Sequence, residues 1–239
     1  LKEHHFNVDY DGLYFRHQKL VEHLEIDFYM TEDNGDFHLS VNTYDVFFPI
    51  TEDYGYVFYN NQIYEVDTRE REAFKLFYHY LSDKFMDIHH SHLEDFINKV
   101  KPILELIGYI HMDATISGRL VSHPLIAQLY IDKKNNQLSL ALKYNYGPHV
   151  YSKYPEAAHD EGSQELIVHH LEKEKEIEYL MTTPKHHLDE TGHLVYDTEE
   201  EMYYFIDKQL PQLRQKCDVF YSEDFKTTYL KSQKELVSH

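Results

Sequence analysis

Nineteen histidines among 239 residues make the imidazole groups the first place to look for chemistry. Imidazole binds zinc, copper and nickel, and it titrates close to neutral pH. His89-His90-x-His92 is the densest group, followed by His169-His170 and His186-His187. His89, His90 and His92 are therefore the metal candidates. A stable site also wants a carboxylate or thiolate from another element, and no H-E-x-x-H spacing occurs. The plainer reading makes these histidines polar loop and helix-start residues with no native metal. Asp160-Glu161 together with Glu172 and Lys175 has the residue types of a metal-dependent nuclease, but its Pro-Asp and Glu-x-Lys arrangement is missing.

Other reactive signatures are missing too. There is no Gly-x-Ser-x-Gly, and Cys217 has no evident activating partner. No G-x-x-x-x-G-K-[S/T] occurs, so the chain lacks a backbone cradle for phosphates and a lysine to reach them. No catalytic or cofactor-binding residue is expected. Lys133, Lys134, Lys143 and Lys153 cluster around one expected hairpin and could form a positive strip that touches phosphate or a partner. The 22 tyrosines could stack on bases, but most are expected in sheets and core. The run Glu172 to Glu178 reads as a solvated helix face, or as a docking face for a basic partner.

The formal charge of −19 argues against bulk nucleic-acid binding, which needs clustered Lys and Arg. An apolar fraction of 42 % and few Gly and Pro (8 and 7) describe a globular chain able to bury a core. The aromatic fraction of 15 %, all Tyr and Phe, favours sheet. A single cysteine excludes a disulfide framework and suits a reducing, cytoplasmic compartment. No apolar run reaches membrane-spanning length and no signal peptide is visible, so no membrane partner is expected. The start at Leu1 rather than Met suggests a piece of a larger protein.

These groups must be positioned by elements legible in the pattern. Phe37 to Phe48 alternates as a strand, with Phe37, Leu39 and Val41 on one face. Residues 1–36 show only an acidic turn at 31–36. Tyr54 to Val66 reads as a hairpin around Asn60-Asn61. A helix is expected from Thr68 to Phe85, capped by Asp67 and Glu70, and another from the Ser91/Glu94 capping box. Leu125 to Ile131 and Leu138 to Tyr144 form a second hairpin. His169 to Met181 is helical, Leu194 to Tyr196 a short strand, and Thr198 with Glu201 caps a last helix before a strand at Val219 to Tyr221.

The chain also repeats itself. Phe96-Ile97-Asn98-Lys99-Val100-Lys101-Pro102-Ile103-Leu104 matches Phe205-Ile206-Asp207-Lys208-Gln209-Leu210-Pro211-Gln212-Leu213 in the frame F-I-[N/D]-K-x-x-P-x-L. Each proline should kink or restart its helix. The expected fold is α+β with mixed sheets. Two related modules, 1–114 (with an N-terminal extension) and 115–239, each run hairpin, two helices, strand; the alternative is one continuous two-lobed domain.

Four stretches carry a family resemblance. They are Pro124-Leu125 with Leu129-Tyr130-Ile131-Asp132, then Tyr144-Asn145-Tyr146-Gly147, then Val168 to Ile177 with Glu172-Lys173-Glu174. The fourth is Phe205 to Leu213 followed by Val219-Phe220-Tyr221-Ser222 and Phe225-Lys226. In this order they resemble the bacterial SWI/SNF helicase-associated domain. His169-His170 stands where that family tends to carry Arg-Asp, which makes these two residues further candidates for partner or nucleic-acid contact. The resemblance implies a parent whose helicase-type motor uses ATP and Mg and translocates on DNA. It implies that this chain is a non-catalytic accessory region whose partner is that motor. Direct DNA contact is the alternative, and an independent metal-dependent enzyme the third.

Overall fold

The computed structural model describes residues 5–10, 13–21, 24–41, 47–81, 85–134, 136–155, 165–183 and 186–228. Two compact units account for them, residues 1–120 with 164–166 and residues 121–163 with 167–239. Both mix helices with strands, and the fold is α+β.

In the first unit, β1 (His5–Tyr10) and β2 (Leu13–Val21) pair antiparallel. A hairpin joins β3 (Ile26–Asp33) to β4 (Asp36–Val41). Asn34 and Gly35 turn it with φ of 54° and 91°, the positive pair that a two-residue loop requires. Ile26, Phe28, Met30, Phe37, Leu39 and Val41 alternate onto the buried face. The expected reading of residues 1–36 as a mixed stretch with one turn thus gives way to three strands and the start of a fourth. The expected strand from Phe37 to Phe48 is seen as β4 and as β5 (Phe47–Pro49), with residues 42–46 outside the described set.

β6 (Tyr56–Tyr59) and β7 (Gln62–Glu65) form the expected hairpin. Asn60 and Asn61 take positive φ, 45° and 62°. These strands complete a sheet in the order β1-β2-β7-β6-β5. Helix α1 (Arg71–Leu81) follows, and Glu70 Oε2 accepts from the Asp67 amide at 3.2 Å as a capping pair should. It buries Ala73, Phe74, Phe77 and Leu81, and Phe77 meets Phe28 edge-on at 5.6 Å. A fully buried side chain of this kind contributes about 1.5–3 kcal/mol. The helix ends at Leu81, not Phe85. Phe85 opens β8 (Phe85–Ile88), whose pairing with β4 turns its ring to solvent, so sheet closure overrides the helical stripe.

A 3₁₀ turn at His90–His92 leads into helix α2, residues 93–104. His89, rather than the expected Ser91, caps this turn, because its ring accepts from the Ser91 amide. Phe96–Val100 is a π-helical turn, in which the Lys101 amide donates to Phe96 O. Strand β9 (Gly108–Met112) then runs parallel to β3, closing a second sheet in the order β8-β4-β3-β9.

The second unit is built on β10 (Leu125–Lys134) and β11 (Gln137–Tyr146). Ala127, Leu129, Ile131, Leu138, Leu140, Leu142, Tyr144 and Tyr146 face its core. β12 (His149–Tyr154) pairs with the far end of β11. Helix α3 (Leu171–Met181) precedes two short strands, β13 (His187–Leu188) and β14 (Leu194–Tyr196). Thr198 caps helix α4, residues 199–213, by accepting from the Glu201 amide at 3.3 Å. Within α4, Phe205–Gln209 is again a π turn, and the Leu210 amide donates to Phe205 O. β15 (Cys217–Tyr221) lies parallel to β10. The sheet order is β13-β14-β11-β10-β15.

Gly108 stands opposite Ile26 where β9 joins β3. A Cβ there would stand 1.9 Å from Ile26 O, well inside van der Waals contact. Gly108→Ala is expected to part the two strands and to lower stability by about 1–3 kcal/mol or more. Urea unfolding at neutral pH measures this as a fall in midpoint; an unchanged midpoint would mean that β9 does not seat on β3 here.

Candidate functional site

The densest buried polar chemistry lies where β11 ends and α3 begins. Tyr146 is the last residue of β11, and alternation turns it inward, fully buried. Gly147 follows with φ of +60°, and a Cβ on it would press against the His123 ring at 3.0 Å. Glycine therefore serves both the turn and the ring. The chain returns through Val168, His169 and His170 into α3. Glu174 occupies the helical phase of Ile177 and Met181, and like them it is buried.

These residues bond to one another. The Tyr146 hydroxyl donates to Glu174 Oε1, and His169 Nδ1 lies 3.0 Å from the same oxygen. The His170 amide donates to the Tyr146 oxygen at 2.8 Å. Tyr144, two residues back on the same face, reaches Glu174 O at 3.2 Å and Glu178 Oε1 at 3.1 Å. Glu178 continues outward to Lys153 Nζ at 3.3 Å. The His169 ring sits 4.7 Å from that of Tyr146 and 4.4 Å from that of Tyr151.

The electrostatics follow from burial and bonding. Burial pushes the Glu174 carboxyl upward, but the hydrogen bonds from His169 and Tyr146 and the charges of His169 and Lys153 outweigh it, holding the group below the ordinary glutamate value. Burial, the Glu174 hydrogen bond and its charge raise the Tyr146 hydroxyl, so it stays a donor. Burial, then the Glu178 and Glu174 charges, do the same for Tyr144. The arrangement suits a fixed, ionised carboxylate that ties strand end, loop and helix together. The solvated face expected for Glu174 gives way to burial; its one signal in the sequence is a glutamate standing in the apolar phase of α3.

His169 is thus turned into the cluster, with 12 % of its side chain accessible, and His170 sits half-buried at the helix start. The lysines do not share one face. Lys143 lies over the exposed Tyr130 ring at 5.5 Å, whereas Lys153 reaches the helix side of the sheet through Glu178. Lys133 is half-buried on the strand phase of Leu129 and Ile131. The Lys134 side chain and Asp160-Glu161 lie outside the described residues. His186 bonds within its own loop to Thr183, and His187 pairs with Asp197 at 3.3 Å. His89 and His90 gather with Asp36, each offering a ligand atom within 4.8 Å of the others, while His92 stands aside. No helix among the described residues is long and apolar enough to cross a membrane.

Two of the family-like stretches, Tyr144 to Gly147 and Val168 to Ile177, thus meet in one cluster. A family profile described as bacterial SNF2 helicase associated matches residues 1–238. The chain belongs to that family. No curated protein and no solved structure gives a significant match.

In this helicase-associated chain Glu174 links stability to pH. Its folded pKa is lowered, so its contribution is present above the unfolded glutamate value of about 4.3 and is lost as pH falls through the folded value. Glu174→Gln should flatten that acid limb, and Tyr146→Phe should cost about 1–3 kcal/mol at pH 7 by leaving a buried acceptor short of a donor. Urea midpoints between acid and neutral pH test both, and parallel acid limbs for Glu174→Gln and the parent chain would refute the linkage. Burial also pushes the Cys217 thiol up to about 11. A disulfide reagent at pH 8 should label it slowly in the folded chain and quickly in urea.

Proposed function

We propose that this chain is a non-catalytic accessory region of a bacterial SNF2-type, DNA-dependent ATPase, acting on the motor in the bacterial cytoplasm. It packs on the motor and biases it between active and inactive arrangements. The observation that carries this reading is the family match across residues 1–238. The chemistry is in keeping with it. Glu174, His169 and Tyr146 are spent on one another below the surface, as in a positioning device. Such a region acts only through different contacts with the two motor states, typically worth about 1–3 kcal/mol. On this reading ATP and Mg belong to the motor. We also read the two units as copies of one module, since the repeat frame forms a π turn before a parallel strand in each.

One observation favours a second reading, in which the chain guides DNA. On the face of β10 and β15 away from the core, Tyr130 and Phe220 are exposed among the described residues. They stack there at 4.9 Å, with Lys143 over the tyrosine. Stacking rings beside a cation suit unpaired bases.

Two measurements divide the readings. The ATPase rate of the SNF2 motor is compared with and without this chain, and anisotropy of labelled single- and double-stranded DNA is followed at low and physiological salt. A rate change of about fivefold or more, without DNA binding, is the expected result. Salt-sensitive binding that weakens in Lys143→Glu would install the guiding role instead. An unchanged rate and no binding would sink both.

A further inference from the structure

Asp36 and the His89-His90 pair are far apart in sequence, and the sheet ladder of the first unit brings them together. β8 runs antiparallel to β4, with His38 opposite Asp87 and Phe37 opposite Ile88. Asp36 opens β4 just before Phe37, and His89 follows Ile88 at the end of β8. The His90 amide lies 3.4 Å from Asp36 Oδ1 and donates to it, and His90 Nδ1 stands 3.9 Å from the same oxygen. The His89 and His90 rings are 4.0 Å apart, tilted by 42°. The carboxylate that sequence spacing did not supply thus comes from a different element.

We propose that Asp36, His89 and His90 bind one divalent transition-metal ion of the zinc class. Zinc takes imidazole nitrogen and carboxylate oxygen at about 2.0–2.2 Å, which sets donor atoms about 3.3 Å apart in a tetrahedral shell. The three donors already lie within 4.8 Å of one another, and all three side chains are exposed. Closing on an ion therefore asks for side-chain rotation alone, and the core is left undisturbed. A His89 that binds through Nε2 carries its proton on Nδ1, so it gives up the bond it accepts from the Ser91 amide and donates instead to Ser91 Oγ, 2.9 Å away. Such an outer bond fixes the tautomer and orients the ring. The fourth position belongs to water, since His92 stands aside from the three donors. Glu32 and Asp33, in the acidic turn of the same hairpin, and the formal charge of −19 raise the local concentration of cations. Imidazole with carboxylate selects zinc, nickel or cobalt over magnesium, which prefers oxygen throughout.

The test uses the untagged chain, stripped with a chelator and titrated calorimetrically with Zn²⁺ alone. One ion per chain is expected, with affinity at least about tenfold weaker in Asp36→Asn and in His90→Ala. Zn²⁺ should raise the thermal midpoint of the parent chain and leave that of both variants in place. His187→Ala, in the other unit, should behave as the parent. Circular dichroism of the stripped proteins establishes that each variant is folded. His89→Ala replaces either one that is not. Absence of saturable one-to-one binding would overturn the proposal. So would affinities that stay within twofold of the parent in the folded variants, since the ion would then sit on other histidines.

Discussion

A proline cannot donate an amide hydrogen, and in both units that deficit governs how the last helix returns the chain to the sheet. Pro102 cannot supply the amide that lies four residues after Asn98, and Pro211 cannot supply the one four residues after Asp207. The helix absorbs this by widening one turn. The amide just before each proline reaches back five residues, Lys101 to Phe96 and Leu210 to Phe205. Each helix then closes through matching bonds, Leu106 to Ile103 and Ile107 to Leu104, Gln215 to Gln212 and Lys216 to Leu213. The chain emerges beside the first hairpin strand and runs parallel to it. Where the strands meet, bulk is shared out in opposite ways. Gly108 faces Ile26 in one unit, and Cys217 faces Ala127 in the other. At Gly108 a Cβ would meet Ile26 O, whereas opposite Ala127 the buried Cys217 keeps its side chain.

The Glu174 cluster solves a second problem, that of fixing α3 on its sheet. A helix held only by Ile177, Met181 and Leu180 could slide along an apolar face at little cost. A buried carboxylate cannot, because it must keep its donors. Tyr146 comes from a strand end, His169 from the loop before the helix, and Glu174 from the helix itself, so any slip breaks at least one charge-assisted bond. The gain is in register more than in free energy.

What was legible in the sequence was local. The 125–146 hairpin, the Asn60-Asn61 turn, the Asp67/Glu70 and Thr198/Glu201 caps and the α1 stripe each depend on neighbours within one turn or one loop. What escaped depended on partners far along the chain. Phe85 looks helical until β4 claims it as a strand. Ser91 looks like a cap until the His89 ring reaches its amide. Glu174 looks solvated until Tyr146 arrives from 28 residues away. Lys133 and Lys143 look like one strip until the pleat sends them to opposite faces. The prolines announced an interruption, but whether a helix kinks, stops or widens is decided by what its next strand must reach.

Exposed rings mark the sheet face away from the core in both units. In the first unit Tyr29 of β3 stacks on His111 of β9 at 5.1 Å, and His111 pairs with Asp27 at 2.7 Å. In the second, Tyr130 of β10 stacks on Phe220 of β15, with Lys143 above it. Both pairs span the same junction, between the first hairpin strand and the parallel strand delivered by the π turn. Cross-strand aromatic pairs stabilise such a junction from the solvent side. Their chemistry nonetheless differs. An imidazole paired with a carboxylate makes the first face polar, whereas a tyrosine ring under a lysine, stacked on a phenylalanine, makes the second more apolar and cationic. A partner that reads ring stacking alone would find both faces alike; one that reads charge would tell them apart.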